Sequence, residues 1–350
     1  MLLASTEHSI SPPQHGGNLD LAIAQYGGHA EDWLDLSTGI SPWSYPLPKI
    51  DATLWHQLPT EPSTLRQAAA DYYGCAFKRV VVTPGSQLAI RLLPGLLPHP
   101  SSVAIPLTGY QEHQYAWQRA GHRIYCYQDI SGLNSLIANQ QVAHAVVINP
   151  NNPTTQSLNN TELRQVATAL SGVLLIDEAF ADTAPSSMTD QLEAIENLLI
   201  LRSPGKFFGL AGARVGFLLS CHPLANQLKT LLMPWSLSAP ACFVVESALR
   251  DRQWQAVQRH RIQQAREGLE QQLSRVIDHG DTALDLRAEA LFCSVFGAAQ
   301  PLRDLHHALA KRKIWTRLNA PQEPVPWLRI GLPGPAQSRF AAVLNDVVKQ

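Results

Sequence analysis

One lysine, Lys206, lies in the run SPGKFFGLAGARVGF, residues 203–217, between two apolar runs and eight residues ahead of Arg214. Lysine is rarely buried without a partner, and partial desolvation disfavours its ammonium form and depresses its pKa. The amine that results is a nucleophile able to form a Schiff base with an aldehyde. By itself Lys206 fits an exposed loop just as well. What gives it an occupation is the set of polar residues spaced along the chain before it.

Asp177 ends the run GVLLID, residues 172–177. A carboxylate at the carboxyl end of a central strand stands where open α/β sheets bind ligands, and it can hold a heteroaromatic nitrogen protonated; the other reading is a helix cap. Asn152 belongs to the turn NPNNPTT, residues 149–155, where its amide can donate to a phenolic oxygen or merely shape the turn. At TPGSQLAI, residues 83–90, a strand gives way to a helix, and the N–H groups of Gly85, Ser86 and Gln87 suit a phosphate. Ser203 and Arg214 can complete that cradle, the arginine through two parallel hydrogen bonds. Tyr110, in PLTGYQEH, can stack on a flat heterocycle or pack in the core.

These residues need a sheet to carry them. Runs at residues 79–83, 102–106, 122–128, 144–149, 172–177 and 197–203 are rich in valine, isoleucine and leucine and alternate with helical stretches, which predicts a mostly parallel α/β sheet with helices on both faces. The run at 214–220 follows too closely for a crossover helix and should be antiparallel. A long charged helix is expected over 240–275, then short strands near 291–296, 313–318 and 326–332 and a final helix, together a smaller α+β unit. The predicted organisation is an N-terminal arm over 1–59, a large domain over 60–238 and a small domain over 239–350.

With 350 residues, 45% hydrophobic and 16% charged, the chain can bury a large core and part of a subunit interface. A net charge of −1 argues against nucleic acid or an anionic membrane as partner. Five scattered cysteines without CxxC spacing indicate buried reduced thiols and no zinc site. The first thirteen residues lack a basic segment and hold a four-residue apolar run, too short for a secretory signal, so the expected location is the cytoplasm.

The order Gly85-Ser86-Gln87, Tyr110, Asn152, Asp177, Ser203, Lys206, Arg214 resembles the fold-type I pyridoxal phosphate enzymes of the aspartate aminotransferase superfamily, from about His15 to Gly331. The resemblance implies pyridoxal 5′-phosphate as cofactor, with Lys206 bonded to its aldehyde, Asp177 on its pyridinium nitrogen, Asn152 on its 3′ oxygen, and Ser203 and Arg214 on its phosphate. Arg329, in WLRIGL, matches the arginine that binds the substrate carboxylate there, and Arg317 on the preceding strand is a second cation suited to a doubly anionic substrate. A homodimer is implied, with active sites between subunits. Phe180 and the pair Leu58-Pro59 depart from the pattern, because the family usually places tyrosines there.

Three segments narrow the resemblance. HGGNLDLAIAQYGG (15–28), LDLSTGISPW (34–43) and GYQEHQYAW (109–117) look like those of threonine-phosphate decarboxylases of cobalamin biosynthesis, with Leu36 and Ser41-Pro42 as drift. The implied activity is loss of carbon dioxide from L-threonine O-3-phosphate to give (R)-1-amino-2-propanol O-2-phosphate. His15, with the backbone of Gly16 and Gly17, would receive the substrate phosphate, and Gly39 would line the same site. Two other readings stand beside it. Histidinol-phosphate aminotransferases share the scaffold, and an amine-sensing regulator, ranked last, would carry a DNA-binding segment ahead of the domain, where only 14 residues precede His15.

Overall fold

The computed structural model describes residues 12–13, 15–183, 187–278, 284–319 and 325–348. The N-terminal segment assessed for a signal lies outside them except for Pro12 and Pro13. Thirteen strands are present among the described residues: β1 (Leu34–Asp35), β2 (Val80–Thr83), β3 (Ser102–Pro106), β4 (Arg123–Tyr127), β5 (His144–Ile148), β6 (Leu174–Asp177), β7 (Leu198–Arg202), β8 (Gly216–Ser220), β9 (Asp285–Glu289), β10 (Phe292–Phe296), β11 (Ile314–Trp315), β12 (Arg317–Leu318) and β13 (Trp327–Gly331). The large sheet runs β2-β8-β7-β6-β5-β3-β4, with β8 antiparallel to both neighbours and the other pairings parallel.

Apolar residues on both faces explain why its strands read as continuous runs. Val82, Val147, Ile176 and Ile200 enter one core, whereas Val81, Val146, Leu175 and Leu199 enter the other. Helices Ser63–Tyr73, Ile130–Ala138, Asn160–Ala169 and Ala239–Arg250 cover the first face; Ser86–Leu92, Glu112–Arg119 and Pro223–Leu231 cover the second. Period-two alternation sends successive side chains into opposite cores.

The single helix expected over 240–275 is two, Ala239–Arg250 and Arg252–Asp278. Asp251 leaves the helical region at φ −84°, ψ 80°. Its carboxylate accepts from the Trp254 N–H at 2.9 Å, so the residue starts a new helix instead of continuing the old one. The run at 313–318 also divides. β11 pairs in parallel with β1 of the N-terminal arm, whereas β12 joins the antiparallel sheet β12-β13-β10-β9. Helix Leu19–Tyr26 packs Ala22 with Trp33, Ala310 and Trp315. Of the cysteines expected to be buried, Cys242 and Cys293 are, Cys75 and Cys221 are partly so, and Cys126 is exposed, on the sheet's edge strand β4. No described helix is long and apolar enough to cross a membrane.

Candidate active site

The site lies along one edge of the large sheet. Gly85 follows β2, Tyr110 follows β3, Asn152 follows β5, Asp177 ends β6 and Ser203 follows β7; Arg214 precedes the antiparallel β8 at the same edge. Carboxyl ends of parallel strands are the ligand-binding edge of open α/β sheets. Lys206 stands not in an irregular loop, as the sequence suggested, but in the one-turn helix Pro204–Phe207. Its Nζ lies 5.7 Å from the centre of the Phe180 ring. Desolvation first, then the Arg329 charge, pull its pKa down to about 8 against an opposing pull from Asp177. About a tenth of such an amine is neutral at pH 7, compared with well under a thousandth for an ordinary lysine.

Lys206 borders two cavities. The inner one, about 130 Å³, is lined by Ser86, Tyr110, Asn152, Asp177, Ser203 and Arg214 among others. Ser86 and Ser203 share a hydrogen bond of 2.5 Å between hydroxyls. Gly85 was expected to offer its N–H to an anion, but that group donates to the Thr83 carbonyl at 2.7 Å. Its contribution is space: at φ +75°, a Cβ there would lie 2.5 Å from Arg214 Nη2. Arg214 itself does not open the strand, which begins at Gly216; it takes a left-handed conformation at φ 51°. Gln87 contributes its side chain, accepting from the Tyr110 hydroxyl at 2.7 Å. Asp177 is buried, with one oxygen accepting from His113 Nε2 at 2.9 Å and the other from the Ala179 N–H at 3.1 Å.

The outer cavity, about 290 Å³, is shared by Lys206, His15, Gly39, Asn152, Arg317 and Arg329. Arg329 is buried and donates to the Asn152 side-chain oxygen and the Ser37 carbonyl, both at 2.6 Å. Asn152 is therefore engaged from the outer cavity. Among the described residues no carboxylate lies within ion-pair distance of Arg329. Burial and Arg317 together draw its pKa down to about 10. Arg317 and Arg329 are directly opposed across β12 and β13, an arrangement of like charges that costs energy until an anion joins them.

The HGG segment docks onto the segment after β1. Gly17 donates its N–H to Ser37 Oγ at 2.7 Å, so this N–H is not free for a phosphate as the sequence suggested. A Cβ at Gly16 would lie 2.3 Å from the Ser37 carbonyl oxygen. Gly39 lines the cavity by keeping out of the way, since a Cβ there would meet the Phe180 ring at 2.8 Å. Sequence reasoning passed over Glu112 and His113, whose signal was the YQEH motif, and Ser37, whose signal was its place in the segment LDLSTGISPW.

Sheet order, lysine position and paired cavities define the α/β enzyme scaffold of fold-type I. The chain belongs to the aminotransferase class I and II family, whose model matches residues 53–345. It is 39% identical over 328 residues, 91% of this chain and 93% of the relative, to the threonine-phosphate decarboxylase of Pseudomonas aeruginosa. A threonine-phosphate decarboxylase of Sinorhizobium is also 39% identical, over 69% of this chain and 72% of its own. The histidinol-phosphate aminotransferase 2 of Archaeoglobus fulgidus is 30% identical over 61% of this chain and 63% of its own. The fold matches the histidinol-phosphate aminotransferase of Sinorhizobium meliloti in complex with pyridoxal-5′-phosphate, with a TM-score of 0.80, 21% identity and coverage of 99% and 98%.

Proposed function

We propose that this chain is a pyridoxal-phosphate-dependent carboxy-lyase that decarboxylates L-threonine O-3-phosphate to (R)-1-amino-2-propanol O-2-phosphate, the aminopropanol unit of the cobalamin side chain. The observation that carries the reading is the pair Arg317 and Arg329 with His15 in one cavity, on the substrate side of a lysine whose amine is partly neutral at pH 7. A substrate with a carboxylate and a phosphate fits two cations and a histidine.

The residues of the inner cavity fit the cofactor. Two hydroxyls, a guanidinium and a glycine that leaves room for it form an anion cradle, and a buried carboxylate stands at the sheet edge. Ser86, Ser203 and Arg214 would hold the phosphate, Asp177 the pyridinium proton, and Lys206 the aldehyde carbon. When bound, the group supplies an electron sink conjugated to the substrate α-carbon. Asp177 is fixed by His113 and the Ala179 N–H, so it cannot turn away from its task. Phe180 leaves the 3′ oxygen without a phenolic donor from that position, and Asn152 remains the side chain that can reach it.

Arg329 decides which bond breaks. Held by Asn152 and Ser37, its guanidinium would fix the substrate carboxylate, and with the phosphate anchored by Arg317 and His15 the two charged ends of the substrate would be held in one orientation toward the group that Lys206 and Asp177 would hold. Lys206, drawn down to about 8, is suited to return a proton to the α-carbon once carbon dioxide has left. The chain is read as a homodimer. Met233 and Trp235, 76% and 62% exposed, line a groove with Pro59 and Leu232, exposed apolar surface of the kind that marks an interface.

The test is to mix the cofactor-loaded protein with L-threonine O-3-phosphate, without a keto acid, and measure carbon dioxide and aminopropanol phosphate. Catalytic release is expected. No release, together with 2-oxoglutarate-dependent turnover of histidinol phosphate, would transfer the function to the aminotransferase. Lys206→Ala should lose the visible absorption of lysine-bound cofactor; retained absorption in that variant that shifts on borohydride reduction would contradict the role of Lys206.

A further inference from the structure

We propose that Glu112 is a positioning residue for the substrate phosphate, acting through His15 on the far side of the outer cavity. The inference rests on the decarboxylase reading above. Glu112 opens helix Glu112–Arg119, and its side chain is 0% exposed. A carboxylate so placed needs compensating partners, because an unpaired buried charge is among the most costly features a fold can carry. One oxygen, Oε2, is ion-paired at 2.5 Å with Arg91 Nε but makes no hydrogen bond; Arg91 belongs to the adjacent helix Ser86–Leu92 and its side chain is partly exposed. The other accepts from His15 Nε2 at 2.7 Å, across 97 residues of chain.

Arg91 alone would neutralise this carboxylate in a structural role. The second partner is different in kind. His15 comes from the arm, is 47% exposed at its side chain and lines the cavity that also holds Arg317, Arg329 and Lys206. Its ring is further bounded by Tyr110, with centroids 5.9 Å apart and planes at 44°. With Nε2 committed to Glu112, Nδ1 is the ring nitrogen left for a ligand. A phosphate monoester, with a second pKa of about 6, can share a proton with that nitrogen in either direction. Glu112 thus converts a mobile imidazole on an arm into a fixed contact, which lowers the ordering cost of binding. Its neighbour His113 faces Asp177 in the other cavity, so two consecutive residues of one helix serve both sides of Lys206.

The experiment compares full-length, cofactor-loaded wild type with Glu112→Ala, Glu112→Gln, His15→Asn and the double variant Glu112→Ala/His15→Asn. KM and kcat are measured for L-threonine O-3-phosphate, and inorganic phosphate is titrated as a binding probe. Glu112→Ala should raise KM and weaken phosphate binding by about 10- to 100-fold, the range for loss of a charged hydrogen bond, with kcat changed less than about threefold. Glu112→Gln keeps an acceptor and should fall between it and wild type, and it decides the matter if the alanine variant does not fold. The double variant should be no worse than His15→Asn, as expected for residues acting as one unit. Unchanged KM and phosphate affinity in the alanine or glutamine variant, or effects of Glu112 and His15 that simply add, would overturn the inference. If wild type fails to turn over threonine phosphate while Glu112→Ala still loses phosphate affinity, the decarboxylase reading falls and the role of Glu112 stands.

Discussion

Arg202 and Arg329 are both buried on strands and both follow a leucine, in LRS and in LRI, but their surroundings differ. Arg202 is held by two carboxylates, Glu178 and Asp182, and its guanidinium lies 4.4 Å from the Tyr73 ring centre. Arg329 has a side-chain amide oxygen and a backbone carbonyl as acceptors and no ion partner among the described residues, while the Nε of both arginines is buried without a hydrogen bond. The first arginine has its anions within the fold. The second is desolvated without a counterion, which is why we propose it as the residue that receives an anion from outside.

The contrast is broken most severely at the paired site. Arg202→Met strands two buried carboxylates and should cost about 3–5 kcal/mol of stability, read by urea or thermal unfolding, while KM of the folded fraction stays at the wild-type value. A normal melting curve for this variant would show that the pairing is not structural.

His144 extends the comparison to a buried base that can shed its charge. It has no carboxylate partner within ion-pair distance among the described residues, its Nδ1 accepts from the Val173 N–H at 3.0 Å, and desolvation, followed by the His122 and His222 charges, lowers its pKa to about 4. Between about pH 6.5 and 4 the unfolded chain binds a proton that the native chain refuses, so stability is complete above the unfolded value and is lost as the pH falls through this window. The loss amounts to at most about 3 kcal/mol. His144→Asn, which keeps an acceptor, should narrow the difference between unfolding midpoints at pH 7 and pH 4.5; an unchanged difference would assign the acid sensitivity elsewhere.

At the open site, Arg329→Gln should lower kcat/KM by about 100-fold, roughly 2.7 kcal/mol of transition-state binding, with a melting temperature equal to or above wild type because an uncompensated buried charge is removed. A lowered melting temperature would make Arg329 a structural residue like Arg202. Arg317→Gln should have the smallest effect, about tenfold and mostly in KM, since Arg317 is only partly buried and keeps more of its solvation. A larger loss for Arg317 than for Arg329 would reverse the assignment of carboxylate and phosphate between the two.

Much of the frame was legible in the residues. Strands buried on both faces must be apolar at consecutive positions, so β2, β5, β6 and β7 stood out in the sequence, and the loops at their carboxyl ends carried Asn152, Asp177, Ser203 and Lys206 in readable order. Local signals failed where a single polar residue diverted the chain. Asp251 starts a new helix inside a helical pattern, and Thr316, whose hydroxyl bonds His306 Nδ1 at 2.7 Å, stands where the 313–318 run passes from one sheet to another. The N–H groups of Gly17 and Gly85 looked available for anions because nothing in the sequence says that Ser37 and the Thr83 carbonyl would claim them.

The amino-acid sequence by itself determined the sheet, the lysine and the order of groups around it, because hydrophobic period and strand-end residues are local properties. Only the tertiary structure decided which buried arginine is paired and which is open, and that Glu112 reaches His15 while His113 reaches Asp177. Those outcomes depend on groups up to 292 residues apart meeting where water is excluded, and the energy of a charge is set by what surrounds it in space, not by its neighbours along the chain.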